Sequence, residues 1–276
     1  MKKLIKLLSV IFLPLTALTA LALYLLRCRR NHPWPDGLKG VRFAHRGLHH
    51  QPDQPENSLA AFRNAVAHGY GAELDLHLMK DNNVAVIHDS SLKRTAGADV
   101  AVEDLTKEEL EKYRLEGTNE KIPLFEEVLD IFDGKTPLVV ELKPVGGNQH
   151  ELAARACEIL DRYNVTYCME SFDPRVLIWL KKFRPDIVRG QLSGNLRKSN
   201  SGQSKLTLWI LERLFMNFLA QPDFIAYDHE YRRRPALKLC RLLYGVQEVS
   251  WTVRSEKRAR ELEEDGCLII FEKFGG

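Results

Sequence analysis

Eight short β-forming runs alternate with amphipathic helical stretches along most of this chain, and that alternation restricts the fold more than any other feature. The runs occupy residues 41–45, 72–76, 138–142, 166–170, 187–190, 224–227, 248–252 and 268–271. Stretches with the 3.6-residue period of a helix lie between most of them, including 58–67, 124–132, 151–162, 174–183, 235–243 and 257–264. A ninth run, 84–87, follows the second after only Lys80-Asp81-Asn82-Asn83. A reversal that short joins antiparallel strands, because a parallel crossover needs about a dozen residues. The pattern therefore predicts an α/β fold, a parallel (β/α)8 TIM barrel with a β-hairpin extension after the second strand. A length of 276 residues suits one such barrel of roughly 250 residues.

The N-terminus is a different kind of sequence. Residues 7–26 read LLSVIFLPLTALTALALYLL, an uncharged run long enough to span a hydrocarbon core. Lys2, Lys3 and Lys6 precede it, and Arg27, Arg29 and Arg30 follow. The apolar run continues past the best small-x-small site at Ala20-Leu21-Ala22 and stops at a basic cluster, as an uncleaved anchor does. Residues 1–30 thus read as a transmembrane helix with basic flanks, making the protein a single-pass membrane protein with the bilayer as a partner. The charges on the two sides nearly cancel, so they assign no orientation. Residues 31–40, NHPWPDGLKG, read as a linker with Trp34 at interfacial depth, and 41–276 as the barrel domain.

A formal charge of +3 is small, and the residues flanking the apolar run account for it, so nothing points to nucleic acid. Five cysteines lie far apart without zinc spacing and read as buried thiols, with Cys28 beside the membrane.

In a barrel of this type, reactive groups belong at the carboxyl ends of the strands. His45 ends the first run, Glu73 and Asp75 lie toward the end of the second, Glu141 and Lys143 end the third, Glu170 ends the fourth, and Trp251 lies near the end of the seventh. Glu73 and Asp75, two apart in a strand, point the same way. Two adjacent carboxylates repel unless a cation or a shared proton relieves them, and hard cations prefer such oxygen ligands. If the chain reverses about Asp81 and Asn82, Asp75 pairs with His88. An exposed hairpin with a solvated acidic edge explains the same residues taken alone.

Several segments together carry a resemblance: FAHRG at 43–47, PENSLAAF at 55–62, ELDLHLMKD at 73–81, HDSSLKRTAG at 88–97, IPLFEEVL at 122–129, VELKP at 140–144, ESF at 170–172 and SWTVR at 250–254. In this order they resemble the glycerophosphodiester phosphodiesterase family over nearly all of the chain after the linker. Met79 and Ser58 depart from that family's usual threonines without removing an essential group.

The resemblance implies metal-dependent hydrolysis of glycerophosphodiesters to glycerol 3-phosphate and an alcohol. Glu73, Asp75 and Glu141 match the family's metal carboxylates, an oxygen-only set for one divalent cation, Mg²⁺ or Ca²⁺. His45 and His88 match its two catalytic histidines, a general acid/base pair whose individual roles stay open. Arg46 is expected at the phosphate, whose oxygens suit a guanidinium fork, and Lys143 at the phosphate or at Glu141. Phe172 and Trp251 are expected to wall a glycerol pocket, and Glu56 to orient the first histidine or support the metal. His49, His50, His68, His77 and His229 read as bystanders.

Two alternatives accompany this reading. The same barrel could act at the membrane on lysophospholipids or a polymeric glycerophosphate, and the apolar segment 206–219, LTLWILERLFMNFL, reads as a helix that either packs on both sides in the barrel or touches lipid beside the mouth. The other is a catalytically inactive, membrane-bound binding module, against which the intact His45, His88, Glu73, Asp75 and Glu141 argue.

Overall fold

In the computed structural model the described residues are 15–30, 32, 34–198 and 202–275. Among these residues nine strands form one sheet: β1 (Arg42–Ala44), β2 (Gly71–Leu78), β3 (Val84–Val86), β4 (Leu138–Leu142), β5 (Tyr167–Ser171), β6 (Arg189–Ser193), β7 (Phe224–Asp228), β8 (Gln247–Val253) and β9 (Leu268–Phe271). Eight of them run parallel in a ring. It closes because β1 pairs with β2 on one side, Phe43 opposite Gly71, and with β9 on the other, Phe43 opposite Ile270. The ninth, β3, adds antiparallel to β2 and stands outside the ring. This is the expected barrel with its hairpin.

Alternation along each strand sorts the side chains. Phe43, Val139, Cys168, Phe224, Ala226, Val249 and Ile270 pack together within the ring. Leu74, Val140, Met169 and Ile269 face the surrounding helices. The interior is tight enough that a Cβ on Gly190 would come 2.1 Å from the Phe224 ring, so β6 passes that ring only as glycine. Outside, the helix Phe125–Phe132 buries Phe125, Val128, Leu129 and Phe132, the i, i+3, i+4, i+7 stripe of one face. Each such side chain contributes about 1.5–3 kcal/mol by leaving water.

The segment 34–40 does not behave as a free linker. Leu38 is fully buried, and Trp34, expected at a membrane interface, packs edge-on against Phe224 with ring centres 5.5 Å apart. Phe224 begins β7, so these residues close the floor, the end opposite the strands' carboxyl ends. Residues 1–14 lie outside the description, and with them the first part of the expected span 7–26. The remainder is helical over 15–25, and among the described residues no helix is long and apolar enough to cross a membrane. Its first turns leave Leu15, Leu18 and Leu21 exposed, whereas Leu26 and Cys28 are buried against β7 and the helix Pro235–Tyr244. Cys28 is thus a packed thiol, as are Cys157, Cys168, Cys240 and Cys267.

The hairpin differs from expectation by one residue. Leu78 pairs with Val84 and Leu76 with Val86, and Ile87 N–H donates to the Asp75 carbonyl at 3.0 Å, so Asp75 stands opposite Ile87 rather than His88. Three residues, Lys80-Asp81-Asn82, form the loop, where a two-residue reversal was expected. Asn82 takes a left-handed conformation (φ 65°), which asparagine tolerates, and Asp81 accepts from the Asn83 N–H and amide and from the Lys107 N–H. Segment 206–219 also differs. It forms two helices, Lys205–Glu212 and Asn217–Ala220, parted at Leu214 (φ 59°), with Leu208, Leu214 and Ala220 buried and Leu206, Trp209 and Leu219 exposed.

Candidate active site

The site is assembled where β1, β2, β4 and β9 end. Beyond β1 the His45 N–H continues the ladder to the Phe271 carbonyl at 2.8 Å, and the chain then turns sharply. Arg46 is left-handed (φ 55°), and Gly47 follows at φ 81°, where a Cβ would also press on the Ala61 backbone at 3.0 Å. That turn aims the Arg46 N–H at Glu73 Oε2, 3.0 Å away. The next loop returns through Pro55-Glu56-Asn57. Asn57 N–H donates to the Arg46 carbonyl at 2.8 Å, and its amide donates to Asp75 Oδ2 at 2.9 Å. Ser58, its neighbour, caps the helix Leu59–Ala67 by accepting from Ala61 N–H.

Glu73 and Asp75 on β2 and Glu141 on β4 face inward, Asp75 lying opposite Glu141 in the ladder. One oxygen from each lies within 4.8 Å of the others. Lys143 Nζ stands 3.2 Å from both Asp75 Oδ1 and Glu141 Oε1, and Arg46 Nε lies 3.5 Å from Asp75 Oδ2. A fourth buried carboxylate, Glu170 on β5, lies opposite Glu141. Four acids thus face two cations.

The imbalance shows in the acidities. Burial, then Asp75 and Glu141, push the Glu73 carboxyl well above its usual range, and burial foremost raises Glu141 to about 7. Glu170 is raised by burial and by Glu141. Burial also opposes the charge on Asp75, yet Lys143, His88, Arg46 and the Asn57 hydrogen bond outweigh it and hold that group well below the carboxylate range. Buried acids without enough counter-charge, all offering oxygen, suit a hard divalent cation. Asp75 Oδ1, buried and accepting no hydrogen bond, offers such an ion a lone pair.

The histidines flank this cluster. His45 Nε2 is 4.0 Å from Glu73 Oε2, and its Nδ1 meets Glu272 Oε2 at 2.9 Å. His88 Nδ1 meets Asp89 Oδ1 at 2.6 Å. Burial lowers both, His88 to about 4. The folded metal-free protein therefore refuses a proton that the unfolded chain accepts below about pH 6.5. The His88 contribution to stability is full above that pH and is lost as the pH drops toward 4. The raised Glu73, Glu141 and Glu170 act in the opposite sense, so in chelator we expect the urea unfolding free energy of the wild type to fall relative to that of His88→Gln between pH 7 and 5, by on the order of 1–2 kcal/mol. An equal slope in the variant would locate the sensitive group elsewhere.

Glu56, expected beside the first histidine or the metal carboxylates, instead accepts from Arg46 Nη1 at 2.9 Å and from Arg94 Nη2 at 2.6 Å. The carboxylate that meets His45 is Glu272, one residue past β9. Its partner Arg254 and the pair Asp89–Arg94 were also missed as site residues, although Asp89 and Arg94 lie inside HDSSLKRTAG and Arg254 ends SWTVR. His77 is no bystander. It is buried, meeting Glu103 Oε1 at 2.6 Å through Nδ1 and the His88 carbonyl at 3.2 Å through Nε2, so it braces the backbone that carries His88. Phe172 and Trp251 meet edge to face, centres 5.7 Å apart, as an aromatic wall on the far side of the mouth.

Comparison with known proteins adds to this geometry. A family model described as the glycerophosphoryl diester phosphodiesterase family matches residues 45–271. Lysophospholipase D GDPD1 of Rattus norvegicus is 36% identical over 141 residues, 45% of this chain and 44% of that protein. The chain therefore spans less than half the length of that relative. Glycerophosphodiester phosphodiesterase 1 of Bos taurus is 28% identical over 77% of this chain and 71% of its own. Among solved structures, an Oleispira antarctica phosphodiesterase in complex with the product sn-glycerol-3-phosphate superposes with a TM-score of 0.69 over 84% of this chain and 92% of that one. At 23% identity it speaks for the fold alone.

Proposed function

From the premise that this chain belongs to the glycerophosphoryl diester phosphodiesterase family and is a phosphoric diester hydrolase, we propose that it cleaves glycerophosphodiesters to glycerol 3-phosphate and an alcohol, with His45 and His88 exchanging protons across a divalent-cation site. The observation that carries the reading is the pair of imidazoles beside three buried carboxylates at the strands' carboxyl ends, His45 Nε2 4.0 Å from Glu73 and His88 close enough to hold Asp75 ionised.

Glu73, Asp75 and Glu141 would hold one Mg²⁺ or Ca²⁺, which when bound supplies positive charge to polarise a phosphoryl oxygen. The remaining work falls to the chain's own groups. Arg46 and Lys143, both held beside Asp75, are placed to neutralise the phosphodiester anion. One histidine, neutral, takes the proton of the attacking hydroxyl and becomes imidazolium, while the other, entering the step as imidazolium, protonates the departing alkoxide and becomes neutral; a proton passed back between them or through water restores the starting pair. A neighbouring glycerol hydroxyl as nucleophile would lower the orientational cost of attack and give a cyclic phosphate that water then opens, and direct attack by water uses the same two histidines. Phe172 and Trp251 cover the carbon skeleton and exclude solvent from it.

The exposed Leu15, Leu18 and Leu21, with Leu206 and Trp209, favour a second reading, in which residues 7–26 anchor the protein in a bilayer and lysophospholipids are substrates. The name of the rat relative, a lysophospholipase D, points the same way. The test is a product assay on glycerophosphocholine and on lysophosphatidylcholine vesicles, with and without EDTA. Chelator-sensitive release of glycerol 3-phosphate from the first supports the principal reading. Release of choline only from the vesicles transfers the assignment to the second. Turnover of neither, with cation binding intact, leaves a binding module.

A further inference from the structure

We propose that Glu272 and Asp89 are positioning residues that fix which nitrogen of each histidine carries its hydrogen, each carboxylate being locked in turn by an arginine. The two assemblies are alike although they come from unrelated parts of the chain. At one, Glu272 Oε2 lies 2.9 Å from His45 Nδ1, and Arg254 Nε donates to Glu272 Oε1 at 2.5 Å. At the other, Asp89 Oδ1 lies 2.6 Å from His88 Nδ1, and Arg94 Nε donates to Asp89 Oδ2 at 2.5 Å.

An ionised carboxylate can only accept, so the ring nitrogen facing it is the one that bears hydrogen. In a neutral imidazole the opposite nitrogen, Nε2, then keeps its lone pair. For His45 that nitrogen is the one 4.0 Å from Glu73, on the side of the acidic cluster. The arginines keep the carboxylates ionised and stop them turning; the His45 hydrogen bond and Arg254 help to bring Glu272 down to about 2. The Glu272 backbone is held as well, its N–H donating to the Val253 carbonyl at 3.0 Å. Arg94 further donates to both oxygens of Glu56, at 3.0 and 2.6 Å, and Glu56 accepts from Arg46. The support of His88 is thereby tied to the guanidinium expected to meet phosphate. Neither Glu272 nor Asp89 belongs to the carboxylate triad, so their loss should disturb proton transfer and leave cation binding alone.

This inference rests on the reading of His45 and His88 as the proton-transfer pair, and the experiment separates the two. In the full chain, ¹⁵N NMR of the imidazoles reports the tautomer, and steady-state kinetics on glycerophosphocholine reports its consequence. A side-chain amide at 272 would present N–H to Nδ1 and select the opposite tautomer. We expect E272Q to convert His45 from the Nδ1–H to the Nε2–H form while His88 is unchanged, and D89N to do the converse. Turnover should fall by about 10²-fold or more in each with KM within about threefold, and E272D should recover at least about tenfold over E272Q. Retention of the Nδ1–H form in E272Q, or turnover within threefold of wild type, overturns the inference. Asp89 is only partly buried, so D89N keeps the test available if E272Q does not fold. If His45→Ala and His88→Ala are inactive while E272Q and D89N behave as wild type, only the positioning role fails. If the alanine variants remain active, the underlying reading fails with it.

Discussion

His45→Ala and His88→Ala should each lower turnover of glycerophosphocholine by about 10³-fold or more, with little change in KM. Proton transfer by a placed side chain contributes about 10²–10⁴-fold, and the proposed cycle needs both transfers in every turnover. The double variant should therefore be little worse than either single one, because a cycle missing one transfer gains almost nothing from the other. Folding should tolerate both changes. Each imidazole sits at the rim, with 15% and 31% of its side chain exposed, and each is held neutral there against its ordinary basicity. Wild-type-like turnover in either single variant would remove that histidine from the site.

Glu141→Gln should do two opposite things. Activity should fall by about 10³-fold as the cation site loses a ligand, and the metal-free protein should become harder to unfold. The second effect follows from the sign of the shift. Glu141 is raised to about 7 in the folded state, so folding favours its neutral form. Its contribution to stability is fully present below the unfolded value near 4.5 and is lost as the pH rises toward 7. At pH 8 the native protein carries a buried charge it resists, at a cost of the order of 3 kcal/mol, and a glutamine avoids it. Added Mg²⁺ or Ca²⁺ should then raise the melting temperature of the wild type and not that of the variant, reversing their order. If Glu141→Gln is less stable than wild type in EDTA at pH 8, the Lys143 pair outweighs the repulsion, and the cluster is a structural ion pair.

Glu73, Asp75 and Glu141 were legible in the sequence because strand alternation is local: two residues apart means one face, and the end of a strand means the mouth. The barrel was legible for the same reason, run by run. What failed were features set by one residue of loop geometry or by partners far along the chain. A left-handed Asn82 adds a residue to the hairpin loop and moves His88 out of register with Asp75, and nothing in the composition of Lys80–Asn83 distinguishes the two loop lengths. Leu214 breaks a segment whose apolar content reads as continuous helix. Trp34 looked interfacial because it follows an apolar run, yet the ring it meets, Phe224, is visible only once the barrel is closed. Glu272 is the clearest case. It lies 227 residues from His45, and alternation gives it a face but names no partner.

That separation has a consequence for the chain as it is made. β1 leaves the ribosome before the other seven strands of the ring; of its two ring neighbours β2 follows directly, whereas β9 comes only after all the others. Until β9 is available, one edge of β1 and one of β8 offer unpaired backbone groups, a hazard for association between nascent chains. During the same interval His45 lacks Glu272. A chain made only as far as β8 would lack the carboxylate proposed to position His45, so full hydrolytic competence and relief of the exposed strand edges should arrive together, with β9.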